Sequence, residues 1–280
     1  MSVRKSFILY CIPLCLVLGI IFSAFAGRNA DTAVSEQTGR NYKLVFREDF
    51  NGIALDTNFW RIIPRNREVE WSAHMSSHPS VFELSHGRMR LYARLNDHLD
   101  INDTAKYIVG GIDTKGMVGI TYGKVEVRAR MTGANGVVSA IWMATTTPKT
   151  YPDYMELDLV ERISERQEVD QTVHNNYVDR LNILDNPQYQ AKPRVKPEKY
   201  NVYAVEILPD QVIFSINGKP TLTYPRINTT QIGQYPFGSC EMYLKLNLEA
   251  GFNKWLRDID FTRFPVYMDI DWVKFYSAVL

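Results

Sequence analysis

The sequence predicts an all-β chain, folded as a sandwich or barrel. From Tyr42 onward, short runs that alternate apolar and polar residues recur between turn signals. No long segment carries a helical period, and no internal repeat is present. One run, Glu156-Leu157-Asp158-Leu159-Val160-Glu161, sets three carboxylates among aliphatic residues that read as a strand.

Each predicted element has its own reason. Leu44 to Phe50 is the first strand. Gly87 to Arg94 alternates basic and apolar residues. In Lys124 to Arg130 the polar Lys124, Glu126, Arg128 and Arg130 alternate with Val125, Val127 and Ala129, the period of a half-buried strand. Gln211 to Ile216 and Pro220 to Tyr224 flank Asn217-Gly218, a two-residue hairpin turn signal. Met242 to Leu248 and Met268 to Tyr276 are further strands. Asp179 to Lys199 is polar and contains Pro and Asn, so it reads as a loop over one rim, where loops carry specificity.

The first 26 residues stand apart. Arg4-Lys5, the apolar stretch Phe7 to Phe22 and the small-x-small site Ala24-Phe25-Ala26 form a secretory signal, with an uncleaved anchor as the alternative. Tyr10 and Leu14 occupy positions where a lipoprotein box before Cys11 or Cys15 would have a small residue. Residues 27–41 read as a flexible polar leader and 42–280 as one domain of ordinary size. Loss of the signal leaves 30 basic against 31 acidic residues, a net charge of −1. No basic run points to nucleic acid. Cys240 then stands alone, so no intrachain disulfide forms and the core must supply stability. The expectation is an exported monomer, periplasmic, cell-surface or extracellular, with no stable membrane insertion once the signal is removed.

The three acids carry the chemistry. Alternate residues of a strand share a face, so Glu156 and Asp158 do. Glu161 has the wrong parity, and a β-bulge near Leu159-Val160 would restore it. Three acids on one face suit glycoside hydrolysis, which needs one carboxylate as nucleophile and one carboxylic acid as proton donor. Four pleat steps of a flat strand would set the end residues ~13 Å apart at ~3.3 Å each. A retaining enzyme needs its carboxyls ~5–5.5 Å apart, so the side chains must lean together over a twisted, concave sheet.

Glu156-Leu157-Asp158-Leu159-Val160-Glu161 resembles the bulged E-x-D-x-x-E signature of glycoside hydrolase family 16, laminarinase-like branch. Further matches follow in order. Glu48-Asp49-Phe50-Asn51-Gly52, with Leu55-Asp56 and Trp60, is similar to the family's opening strand and turn. Tyr122-Gly123 through Arg130, Ala140-Ile141-Trp142-Met143, Thr172-Val173-His174, Tyr200 to Glu206 with Asn217-Gly218, and Asp271 to Tyr276 resemble later strands. The resemblance runs from about Tyr42 to Tyr276. It implies a β-jelly-roll sandwich of two antiparallel sheets with a concave substrate cleft, and a retaining endo-glycosidase.

The resemblance also implies roles. Glu156 would be the nucleophile, Glu161 the acid/base and Asp158 the residue that orients Glu156. Like charges packed together would keep Glu161 protonated. His174 would contact Asp158, Glu161 or the sugar, or serve as a structural histidine. Trp142 would stack on a sugar ring or fill the core. Trp71 and Trp255 would be cleft-rim aromatics or ordinary packing, and Trp60 and Trp272 core. Arg128 would be an ion-pair partner or a functional residue. The family's structural calcium would take Asp49 and Asp271 as carboxylate ligands, or these are simple surface acids. No other cofactor is needed.

Departures from the family concern the substrate. Gly136-Val137-Val138-Ser139-Ala140 stands where laminarinases have Trp-Pro-Ala. Met155 replaces a Gly, and Glu249-Ala250-Gly251-Phe252 replaces a Gly-Gly. The leading substrate is a β-1,3-glucan or mixed-linkage β-glucan. The alternative is a galactose-containing glycan, with Val137 and Val138 leaving room for an axial hydroxyl. A non-catalytic carbohydrate-binding sandwich and a transglycosylase are the other readings.

Overall fold

Leu159 and Val160, neighbours in sequence, are both fully buried in one apolar core. Fully burying an aliphatic side chain is worth ~1.5–3 kcal/mol, so the strand bulges to send both inward. The computed structural model describes residues 32–34, 39–97, 103–251, 256 and 258–279. These residues belong to one unit, Thr32–Leu280. The expected signal, residues 1–26, and Trp255 lie outside the described residues.

The chain opens with β1 (Thr32–Val34), β2 (Asn41–Glu48), β3 (Arg61–Ile62), β4 (Phe82–Ser85) and β5 (Arg88–Leu95). Three short strands follow, β6 (Tyr107–Val109), β7 (Gly111–Asp113) and β8 (Gly119–Ile120), and then the longer β9 (Gly123–Met131). The central strands are β10 (Val137–Thr145), β11 (Met155–Ile163) and β12 (Asp170–Asn175), followed by the one-turn helix α1 (Asn176–Asp179). The remainder comprises β13 (Gln190–Ala191), β14 (Asn201–Ile207), β15 (Gln211–Ile216), β16 (Lys219–Pro225), β17 (Met242–Ala250) and β18 (Val266–Ala278).

Two antiparallel sheets form a jelly-roll sandwich. One has ten strands, ordered β1-β2-β18-β9-β14-β15-β16, with β4, β5 and β6 joined through β18. The other has eight, ordered β13-β12-β11-β10-β17-β7-β3, with β8 beside β17. Val125, Val127 and Ala129 of β9 face the interior, as their alternation predicts, and meet Leu157, Val173 and Leu246 of the eight-stranded sheet in one core. Asn217 and Gly218 have φ of 51° and 77° at the predicted hairpin turn.

Three expectations change. Trp272 is only half-buried, because β18 bulges between Ile270 and Trp272 and turns the indole outward, where Lys274 covers it at 4.4 Å. Thr32–Val34, within the expected flexible leader, pair antiparallel with Asn41 to Lys43 and extend the sheet edge. The expected rim loop 179–199 contributes β13, which pairs with Gln171 and Thr172. Trp60 is buried as expected. Among the described residues no helix is long and apolar enough to cross a membrane.

Candidate active site

The bulge has a two-against-one register. Across β12, Asp158 opposes Thr172 and Glu161 opposes Asp170, so Gln171 alone faces Leu159 and Val160. Across β10, Trp142 opposes Asp158, Ile141 opposes Val160, and Leu159 is skipped. The inserted residue restores the parity of Glu161. Glu156, Asp158 and Glu161 thus share the outer face of the eight-stranded sheet with Ala144, Trp142 and Ala140. The Gln171 side chain is fully buried and its Nε2 donates to the Leu159 carbonyl at 2.9 Å, while its Oε1 accepts from Thr221 Oγ1 of the other sheet.

The three acids line a cavity of about 240 Å³ with Trp71, Ala140, Trp142, Tyr154, His174 and Glu249. Glu156 lies opposite His174 in the β11–β12 ladder. Tyr154 Oη donates to Glu156 Oε2 at 2.7 Å. His174 bridges two acids, with Nε2 3.2 Å from Asp158 and Nδ1 2.9 Å from Asp179 at the end of α1. Trp142 Nε1 donates to Asn247 Oδ1 at 2.7 Å, which fixes the Asn247 amide, since an indole only donates. Asn247 Nδ2 then donates to Glu249 Oε1 at 3.0 Å. Trp71 meets Trp142 edge to face at 5.1 Å. Lys245, on the same face of β17, lies over the Trp142 ring at 3.7 Å and the Trp71 ring at 4.4 Å.

The electrostatics divide the two glutamates. Burial, then Asp158, raises Glu156 to about 7, against the pull of His174, the Tyr154 hydrogen bond and Lys245. Burial, Asp158, Glu249 and Asp170 raise Glu161 well above the carboxylate range, and only His174 opposes them. Burial alone would lower His174, but its hydrogen bonds to Asp158 and Asp179 and the charges nearby hold it well above its ordinary value. Cations therefore gather at the Glu156 end and carboxyls at the Glu161 end. That is the asymmetry a nucleophile and a proton donor require.

The sequence-predicted residues Glu156, Asp158, Glu161, Trp142, Trp71 and His174 come together in this cavity. Val137 and Val138 do not border it. Val137 joins the main core, and Val138 is buried with Ala140, Trp142, Ile163 and Leu256. Sequence reasoning missed Tyr154, Asp179, Asn247 and Lys245. Tyr154 was within reach, since it stands two residues before Glu156 and shares its parity. Glu249 was noted only as a departure from the family.

The residues proposed for calcium do not fit a cation. Both oxygens of Asp49 accept from Arg47 Nε, at 2.9 and 2.8 Å, and Asp271 is paired with Arg128. Each carboxylate is already neutralised, and Arg128 is thereby an ion-pair partner. Among the described residues one group has metal-ligand spacing, Glu156, Asp158 and His174, with ligand atoms within 4.8 Å. Both nitrogens of His174 are already engaged by carboxylates, so a metal there would have to displace one of them.

A jelly-roll sandwich with paired half-buried carboxyls beside two indoles is the architecture of a glycan-cleaving cleft. The profile of the Glycosyl hydrolases family 16 matches residues 78–274. The chain belongs to that family. It is similar to a keratan-sulfate endo-1,4-beta-galactosidase of Sphingobacterium multivorum, 30% identical over 244 residues that make up 86% of this chain and 56% of that protein. It is also similar to glucan endo-1,3-beta-glucosidase A1 of Niallia circulans, 26% identical over 260 residues, 84% of this chain and 38% of that protein. The chain thus spans about half the length or less of these two relatives. The solved laminarinase of Rhodothermus marinus shares the fold with a TM-score of 0.75 at 22% identity, over 85% of this chain and 98% of that one.

Proposed function

We propose that this protein is an endo-acting glycosidase that cleaves a β-linked glycan with retention of configuration. Glu156 is the nucleophile, Glu161 the acid/base, and Asp158 orients Glu156 and shapes the field of both. The observation that carries this reading is the bulge that brings Glu161 onto the face of Glu156 inside one cavity. Glu161, held protonated by its surroundings, gives its proton to the leaving oxygen as Glu156 attacks the anomeric carbon. Water, activated by the now ionised Glu161, then releases the glycosyl group. Trp142 and Trp71 supply the aromatic surface against which a sugar ring packs.

Two substrate readings are open to test. A β-1,3-glucan or mixed-linkage β-glucan is supported by the similar glucan endo-1,3-beta-glucosidase. A galactose-containing glycan is supported by the keratan-sulfate-cleaving relative, which matches 86% of this chain at 30% identity. No cofactor is required on this account, so EDTA leaves both turnover and Tm unchanged. Export through the segment before Ala26 is part of the proposal, supported by its charged, apolar and small-residue pattern. So is action as a monomer.

The test is a product profile. Protein lacking residues 1–26 is incubated with laminarin, mixed-linkage glucan, agarose, keratan sulfate and mucin glycans, with Glu156→Gln and Glu161→Gln as controls. Oligosaccharides from the parent protein and none from either control are expected. Full activity in either control removes the assignment. Binding without any product would favour a carbohydrate-binding role.

A further inference from the structure

β17, β7 and β3 lie on one side of the catalytic strand pair, and their outer face sets Arg61 and Lys245 beside Asp113 and Glu249, with Lys115 just after β7. One register row crosses the sheet from Arg61 through Asp113, Lys245 and Trp142 to Asp158. Arg61 is spent within this row, since its guanidinium grips both oxygens of Asp113 at 3.0 and 2.7 Å. Asp113 Oδ1 also accepts the main-chain N–H of Lys115 at 3.2 Å. Asp113 is therefore saturated and Glu249 is engaged by Asn247, while two ammonium groups remain.

Lys245 is only 8% exposed, yet among the described residues its ammonium makes no hydrogen bond and no ion pair. Three ring faces surround it instead: Trp142 at 3.7 Å, Trp71 at 4.4 Å and Tyr243 at 5.5 Å. Lys115 stands 5.9 Å from the centre of the same Tyr243 ring, and its ammonium likewise has no acceptor among the described residues. Ring faces attract a cation but accept no conventional hydrogen bond, so three N–H donors of a nearly buried ammonium go unused. Glu156 favours the charged form of Lys245 but makes no hydrogen bond to it, and an anion supplied by a ligand would offset the remaining cost of burial. Trp71 and Trp142 line the catalytic cavity, so Lys245 adjoins it, and Tyr243 links Lys245 to Lys115.

We infer that Lys245 and Lys115 form an anion-binding shelf beside the catalytic cavity, one that takes a sulfate ester or a carboxylate carried by the sugar bound on the β17 side. The inference rests on the glycan-cleaving reading of the cavity and deepens it. It favours an acidic glycan over a neutral glucan. A purely structural role, with Lys245 as a pillar between two indoles, would make no distinction between neutral and anionic chains.

The test measures binding apart from cleavage. Glu156→Gln protein is titrated by calorimetry with a 6-O-sulfated galactose-containing oligosaccharide, its desulfated counterpart and a uronate-containing oligosaccharide of equal length. One of the two anionic chains is expected to bind about 10-fold more tightly than the neutral one, a charge-assisted contact's worth of discrimination. The tighter of the two names the source of the anion. In the same background Lys245→Met is expected to bring the anionic-to-neutral ratio near one, and Lys115→Gln to reduce it. Equal affinity for all three chains overturns the inference. So does an unchanged ratio in both variants, even if Lys245→Met weakens every chain alike. Turnover of the same chains by the parent protein reports separately on the glycosidase reading. Its absence would sink that reading while the binding ratios still decide the shelf.

Discussion

The side-chain amide of Gln171 donates to the main-chain carbonyl of Leu159 at 2.9 Å. Leu159 is the residue that the β10 register skips, so Gln171 takes the place of a ladder partner at the centre of the bulge. Thr221, from the opposite sheet, donates to the other end of the same amide. One buried side chain thus ties β11 to both layers.

Gln171→Met would keep the volume and delete both hydrogen bonds. An unpaired buried polar group costs ~1–3 kcal/mol, so a stability loss of about 2–3 kcal/mol is expected in urea unfolding. Because Glu161 depends on the bulge for its aim, kcat/KM should fall by ~10–100-fold, the scale of an ångström-sized misplacement. Wild-type turnover in a destabilised variant would separate the bulge from the chemistry.

Asp158 raises both Glu156 and Glu161. Asp158→Asn removes that charge while keeping the shape, so both glutamates should titrate lower and the pH–rate profile should move toward acid. The rate should drop, but by less than in Glu156→Gln. A profile of unchanged position would deny Asp158 its electrostatic part.

Glu249 is 6% exposed, and burial is the first cause that lifts it to about 8. Its folded value lies above its unfolded one, so between about pH 4.5 and 8 the folded protein holds the proton more tightly. The folded state is then favoured least above pH 8. Burial and neighbouring carboxyls shift Glu156 and Glu161 in the same direction, and His174, also raised, loses its contribution as pH rises. Thermal stability should therefore decline from pH 5.5 to pH 8.5. Glu249→Gln, which can still accept from Asn247, should flatten that decline. A variant with the same slope as the parent would show that Glu249 does not hold a proton in the fold.

Much of this was legible in the sequence because strand parity is a strict rule. The Val125-Val127-Ala129 face, the Asn217-Gly218 turn and the parity mismatch of Glu161 each follow from a period of two. The mismatch is itself the signal for the bulge. The bulge in β18 left no such mark, since nothing in Ile270-Asp271-Trp272 says which side the indole must take, and Trp272 was misplaced into the core. Asp179 reaches His174 only because the one-turn helix α1 folds back beside β12, a path that no periodicity encodes. The Lys245 cage depends on β17 pairing with β10, from which it is separated in sequence by the six strands β11 to β16. Alternation within β17 could not reveal that neighbour.

The central claim is a covalent double displacement by Glu156 with Glu161 as acid/base. It is tested most directly by proton NMR of the reducing-end anomers in the first moments of cleavage, on whichever glycan the product profile identifies. The account predicts that the β-anomer appears first and the α-anomer only later, at the rate of mutarotation. An α-anomer formed first would mean single displacement by water, and would contradict the roles given to Glu156 and Glu161.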